Sequence, residues 1–121
     1  MRHLGRLRRA EEYRRVRRLG RQVVGQAGIL YVAPNLCGET RVGVQASRRL
    51  GSAVRRNRAR RRVREALRAL VDQLAVGVDL VIIPRPAALA MEFAALREDL
   101  GGMLAAAGAL TRSSRSWEGA C

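Results

Sequence analysis

Residues 40–47 alternate in character, with Val42, Val44 and Ala46 on one side and Arg41, Gly43, Gln45 and Ser47 on the other. That period of two predicts a half-buried strand. The preceding apolar, β-branched run at 23–33 is interrupted by glycines and predicts a strand over 28–33, with a short companion near 22–25. Ile29 and Tyr31 point to one side of that strand, Leu30 and Val32 to the other. A turn region through Pro34, Asn35, Gly38 and Glu39 joins the strands at 28–33 and 40–47 and makes them antiparallel. Residues 78–83, VDLVII, form a nearly continuous apolar run of the kind found at the centre of a sheet or under cover on both faces, and Pro84 and Pro86 end it.

Helical spacing accounts for most of the rest. Ser52 is placed as the N-cap of a helix running to about residue 74. On it Val63, Ala66, Leu67, Leu70 and Leu74 make one stripe, and Asn57, Arg60, Arg61, Arg64 and Arg68 a second, about a third of a turn away. A shorter helix over 8–19 shares only Tyr13 and Val16 on its apolar face, so it depends on docking; Gly20 is its stop. The last helix spans about 92–107, with Phe93, Leu96, Leu100, Met103, Leu104 and Ala107 inward, despite a cost of about 1 kcal/mol for each of Gly101 and Gly102. Residues 1–6 read as a basic, poorly ordered arm and 111–121 as a polar, disordered tail in which Trp117 is solvated. The chain is one domain, 1–121, with an ordered core over about 7–110. If the apolar sides of the strands pack on helices, the opposite sheet face is open and presents Arg41 and Gln45.

Charge changes the picture. The net charge is +14, and all 24 basic residues are arginine. Ten arginines stand between Arg48 and Arg68 against one acid, Glu65. Cations in the first turns of a helix oppose its dipole and repel one another at i+3 and i+4. Guanidinium groups there are stabilised by an anionic partner, because the free N–H groups and the dipole attract phosphate as well. The partner is nucleic acid or an anionic membrane surface. The small Ala59, Val63 and Ala66 suit packing on a sheet better than a membrane surface. A helix-turn-helix lacks room for its second helix before the strand at 78.

No apolar run approaches the roughly 18 to 20 residues that span a bilayer. Residues 1–15 lack the apolar centre of a signal peptide, which places the chain in the cytoplasm. Cys37 and Cys121 match no zinc spacing and read as free thiols, and His3 is the only histidine. There is no P-loop, no pair of catalytic carboxylates and no Ser-His-Asp set; Glu11, Glu12, Glu98 and Asp99 fit ordinary helix surfaces. The sequence offers no catalytic residue, no metal ligand and no protein-bound cofactor.

The run Arg55-Arg56-Asn57-Arg58-Ala59-Arg60-Arg61-Arg62-Val63-Arg64-Glu65 resembles the RNR region of the bacterial ribonuclease P protein family. The frame agrees over about 6–110: Tyr13 and Val16, Gly20-Arg21, Leu30-Tyr31, Arg41-Val42-Gly43, Ser47 to Gly51, and Asp79 to Ile83 followed by Arg85-Pro86. The resemblance implies an α/β (α+β) two-layer sandwich in the order α-β-β-β-α-β-α. Its small mixed sheet would pack on helices, with a left-handed β-α-β crossover through the basic helix, where general rules favour the right-handed one. It also implies an endoribonuclease that removes the 5′ leader of precursor tRNA, with a catalytic RNA subunit that uses Mg2+. By position, Arg56, Asn57, Arg58, Arg60, Arg61, Arg64 and Arg68 would face that RNA, with Arg48 and Arg49 at the edge of the leader cleft. The cleft itself would use Tyr13, Arg17, Tyr31, Arg41 and Gln45. No protein oligomer is expected.

Arg17 and Gly28 stand where the family often carries aromatics, and the chain is only 3% aromatic. Fewer stacking surfaces predict heavier reliance on arginine–phosphate contacts and a steep salt dependence of leader binding. The competing reading is a non-enzymatic RNA-binding protein such as a ribosomal component. Against it, Tyr13 and Tyr31 beside arginines suit a single-strand cleft.

Overall fold

The computed structural model describes residues 3–110. The tail expected over 111–121, with Trp117 and Cys121, lies outside the described residues. In chain order the elements are β1 (Leu4–Arg6), α1 (Ala10–Leu19), β2 (Arg21–Val24), β3 (Gly28–Pro34) and β4 (Thr40–Val44), then α2 (Ala53–Ala69), β5 (Val78–Pro84), α3 (Ala87–Ala90) and α4 (Phe93–Ala106). The strands form one mixed sheet in the order β1-β4-β5-β3-β2.

β5 is the centre of the sheet, parallel to β4 and antiparallel to β3. The expected antiparallel relation of β3 and β4 therefore survives as direction only, because β5 inserts between them. Its apolar residues on both sides are buried more completely there than at an edge, which outweighs the short connection between β3 and β4. One sheet face, with Leu30, Val32, Val42, Val44, Leu80 and Ile82, packs on Val63, Leu67, Leu96, Leu100 and Leu104 of α2 and α4. The other presents Ala33 and Val81 to Leu7 and Val16, with Tyr13, Tyr31 and Ile83 partly buried beside them. The long helices thus share one face, and α1 covers part of the other.

Residues 4–6 are not a loose arm. β1 pairs in parallel with the outer edge of β4, Leu4 to Thr40 and Arg6 to Val42, and Leu7 donates its N–H to the Val42 carbonyl at 2.9 Å. An unpaired strand edge is a template for such pairing, and Leu4 and Leu7 pack against the two cores. α2 starts at its Ser52 cap, whose Oγ accepts from the Arg55 N–H at 3.3 Å. It ends at Ala69, and a 3-10 turn, Val71–Gln73, carries the chain on to Leu74. Phe93 is 38% exposed and does not join the inner side of α4 as expected. It is the first residue of that helix, beyond the end of the core it was aligned with.

α1 stops at Gly20 through close packing. Its backbone is extended there, and an added Cβ would lie 2.4 Å from the Val16 carbonyl oxygen. The same logic seats α1 on the sheet: a Cβ at Gly43 would lie 2.5 Å from the Tyr13 ring. We expect Gly43→Ala to cost about 1–3 kcal/mol by forcing Tyr13 and its helix outward. The urea midpoint checks it; an unchanged midpoint would show that Tyr13 is not held against this strand.

Candidate nucleic-acid interface

α2 carries the denser of two cationic surfaces. Asn57, Arg60, Arg61, Arg64 and Arg68 line a pocket of about 360 Å³ together with Glu65 and, from β1, Arg6. All but Arg6 and Glu65 come from the stripe expected from helical spacing. Asn57 lies on the pocket side, and at 100° per residue Arg56 and Arg58 diverge from it in opposite senses. The Asn57 Oδ1 accepts from Arg60 Nη1 at 2.7 Å and fixes that guanidinium. Arg64 Nε is buried without a hydrogen-bond partner among the described residues. Burial, and then the neighbouring Arg6, push the Arg64 pKa down. A buried donor left without an acceptor costs free energy, and an anion in this pocket would supply one.

Not every arginine of the run is free for a ligand. Arg62 donates to the carbonyls of Ala88, at 3.1 Å, and Met91, tying down α3. Arg55 Nε donates to the Leu50 carbonyl at 2.6 Å. Arg48 and Arg49 differ: they sit in a 3-10 turn, Arg48–Leu50, where the Ser47 Oγ accepts from the Arg49 backbone N–H and not from its guanidinium.

The second surface lies on the sheet face that α1 leaves partly bare. Arg17 projects from α1 with its guanidinium 5.8 Å from the centroid of the Tyr31 ring, within cation–π range. Its Nη1 donates to Gln45 Oε1 at 3.3 Å, and Gln22 Nε2 donates to the Tyr31 hydroxyl at 3.1 Å. Arg14, Arg17, Arg18 and Tyr31 line one hollow of about 440 Å³. A second, of about 700 Å³, shares Arg17 and continues past Gln45, Ser47 and Arg49, with Ile29, Ile83 and Arg85 on its far side. The result is a groove with an aromatic and aliphatic floor and arginines along its rim.

Of the five residues expected in a cleft, Arg17, Tyr31 and Gln45 come together. Tyr13 lies beneath α1, its hydroxyl donating to the Leu7 carbonyl at 3.3 Å. Arg41 is turned into a charged network: Nε and Nη2 donate to the two oxygens of Asp79 at 2.9 and 2.8 Å, and Nη1 donates to Glu12 at 3.2 Å. Asp79 holds the Arg41 guanidinium more firmly protonated than usual. Glu12 is more than a surface acid, since it accepts the N–H groups of Arg8 and Arg9 at 2.9 Å each at the start of α1. Those bonds, then Arg41, hold its carboxyl below its ordinary range. Asp99 is likewise structural, accepting from the Ala27 N–H at 2.8 Å and pinning the β2–β3 turn.

Arg6, Arg14, Arg18, Ile29, Ile83 and Arg85 also belong to these surfaces and were not expected there from the sequence. Ile29 and Ile83 are register partners across β3 and β5. Knowing that those strands are neighbours would have found them.

The ribonuclease P family model matches residues 1–108. The ribonuclease P protein component of Chloroflexus aurantiacus is 47% identical over 105 residues, covering 86% of this chain and 78% of that one. The ribonuclease P protein of Thermotoga maritima superposes with a TM-score of 0.74 at 28% identity, over 82% of this chain and 94% of that one. The Staphylococcus aureus ribonuclease P protein gives a TM-score of 0.75 at 25% identity, over 84% and 94%. A match along almost the whole chain, in both sequence and fold, places this protein in the ribonuclease P protein family.

Proposed function

We propose that the chain acts as the protein subunit of ribonuclease P, binding the catalytic RNA through α2 and the 5′ leader of precursor tRNA through the groove beside α1. The observation that carries this is the presence of two cationic surfaces, one on α2 and one beside α1, helices that pack on opposite faces of one sheet, each surface with its own chemistry. The α2 pocket offers guanidinium groups and an amide without an aromatic, which suits the phosphates of a structured RNA. The groove offers Tyr31 for base stacking and arginines for the backbone, which suits a single strand.

In this reading the protein binds and orients while the RNA cleaves. Among the described residues no three His, Cys, Asp or Glu side chains converge as a metal site. The carboxylates under α1, Glu12 and Asp79, are taken up by arginines and backbone amides. The Mg2+ that serves the cleavage is held by the RNA in this reading, as the family resemblance implies. Neutralising leader and RNA phosphates lets the two RNAs approach with fewer metal ions. No described helix is long and apolar enough to cross a membrane; the proposed site of action is the cytoplasm.

The test is reconstitution. Catalytic RNA plus this protein should remove the leader of precursor tRNA at magnesium concentrations where either alone is slow. No acceleration at any magnesium concentration would reject the reading and return the chain to the class of non-enzymatic RNA-binding proteins.

A further inference from the structure

Arg41 and Asp79 are register partners on the parallel strands β4 and β5, and both face α1. The Asp79 side chain is only 1% exposed, in the middle of the sheet. Besides the two Arg41 nitrogens, it accepts Asn35 Nδ2 at 2.7 Å, and Arg15 Nη1 lies 3.5 Å away. Arg15 also donates from Nη2 to the Pro34 carbonyl at 2.8 Å, and Glu12 closes the set from the first turn of α1. Both acids and both arginines are thereby paired, so the network has no net charge and offers a phosphate little attraction. It also supplies what the thin apolar face of α1 lacks, since Val16 is the only residue of that helix that is fully buried. Glu12 and Arg15 fasten α1 to the sheet, and Arg17, two residues after Arg15, is the residue that overhangs Tyr31.

We propose that Asp79, Arg41 and Glu12 form a positioning device: they set the seat of α1 and hence the gap between Arg17 and Tyr31, and Arg41 does not itself bind the leader. This rests on the leader reading of the groove. Buried ion pairs contribute little net stability against apolar packing, but they penalise any arrangement that separates the partners. Such a device suits a helix whose placement matters more than its adhesion.

The two roles for Arg41 predict opposite signs at Glu12. If the network displayed charge to the leader, Glu12→Gln would leave an extra positive charge and tighten leader binding. If the network positions α1, the same change loosens the helix and weakens it. The experiment measures the affinity of the reconstituted holoenzyme for leader-bearing precursor tRNA and for mature tRNA across a salt series, with wild type, Glu12→Gln, Arg41→Gln and Arg17→Ala. We expect Glu12→Gln and Arg41→Gln each to reduce the precursor preference by about tenfold, since small displacements of a positioning element are costly. Their salt slopes should match wild type, as should their affinity for mature tRNA and for the catalytic RNA. Arg17→Ala, which removes a rim cation, should lower the slope by about 0.7. The proposal is overturned if Glu12→Gln leaves the preference unchanged or raises it, or if Arg41→Gln lowers the slope as Arg17→Ala does. Should Arg41→Gln fail to fold, the sign at Glu12 decides alone. A wild-type holoenzyme with no precursor preference would instead remove the leader reading itself, before any variant is compared.

Discussion

Arg60→Ala combined with Arg64→Ala is expected to weaken assembly with the catalytic RNA by at least about a hundredfold, with the fold intact. Each charge-assisted hydrogen bond to phosphate is worth about 1.5–3 kcal/mol, or roughly ten- to hundredfold in affinity. Losing two should also flatten the salt dependence by roughly 1.5 to 2 in log–log slope. The fold should tolerate the change because Arg60 bonds to Asn57 on its own helix and Arg64 Nε has no partner among the described residues. Truncating Arg64 removes a desolvated cation from the pocket wall and leaves Val63 and Leu67 packed. Binding of labelled catalytic RNA over a salt series reads both numbers, and a denaturation midpoint close to wild type checks the fold. An affinity loss under threefold would show that this pocket is not the RNA contact.

Tyr31→Ala is expected to lower holoenzyme affinity for precursor tRNA about five- to a hundredfold, the value of one base stacked on an aromatic platform. Mature tRNA, having no leader, should bind as before. Tyr31→Phe keeps the ring and loses only the bond from Gln22, so it should stay within about threefold of wild type. The salt slope for precursor binding should be steep in wild type and unchanged in Tyr31→Ala, because the ring carries no charge. Equal losses in Tyr31→Phe and Tyr31→Ala would mean that the hydroxyl, not the stacking face, is what the ligand needs. A shallow slope in the wild type with normal affinity would defeat the expectation that arginine stands in for missing aromatics.

How far the sequence foretold these surfaces depended on the range of the interaction involved. The α2 pocket was legible because helical periodicity is local: Asn57, Arg60, Arg61, Arg64 and Arg68 share a face whatever the helix docks on. The two sides of β3 and β4 were legible for the same reason. The apolar run of β5 pointed to a central or fully covered strand, but not to its neighbours, since its pairings with β3 and β4 join residues 38 to 56 positions apart and leave no periodic trace. That one uncertainty hid the groove floor, where Ile83 meets Ile29, and hid the purpose of Asp79, which reads as a lone acid in an apolar run.

The same long-range pairing explains two features that the sequence did not reveal. Arg41 lies on the expected face of its strand, yet the neighbour that captures it is Asp79 on β5. A three-residue edge strand such as β1 is invisible to alternation, and only the free edge of β4 gives it a partner. The family resemblance supplied the fold and the proposed ligands. It transferred Tyr13 and Arg41 into the cleft as well, whereas here the first props α1 and the second is neutralised beneath it.

Under the proposed function, one small sheet presents two RNA-binding faces that work independently. Measuring both affinities for both variants tests it most directly: catalytic RNA for the free protein, and leader-bearing precursor for the assembled holoenzyme. A crossed pattern is expected. The Arg60 and Arg64 double variant should lose the first affinity and, once saturated with RNA, keep the second, while Tyr31→Ala should keep the first and lose the second. Parallel losses of both affinities in both variants would contradict it.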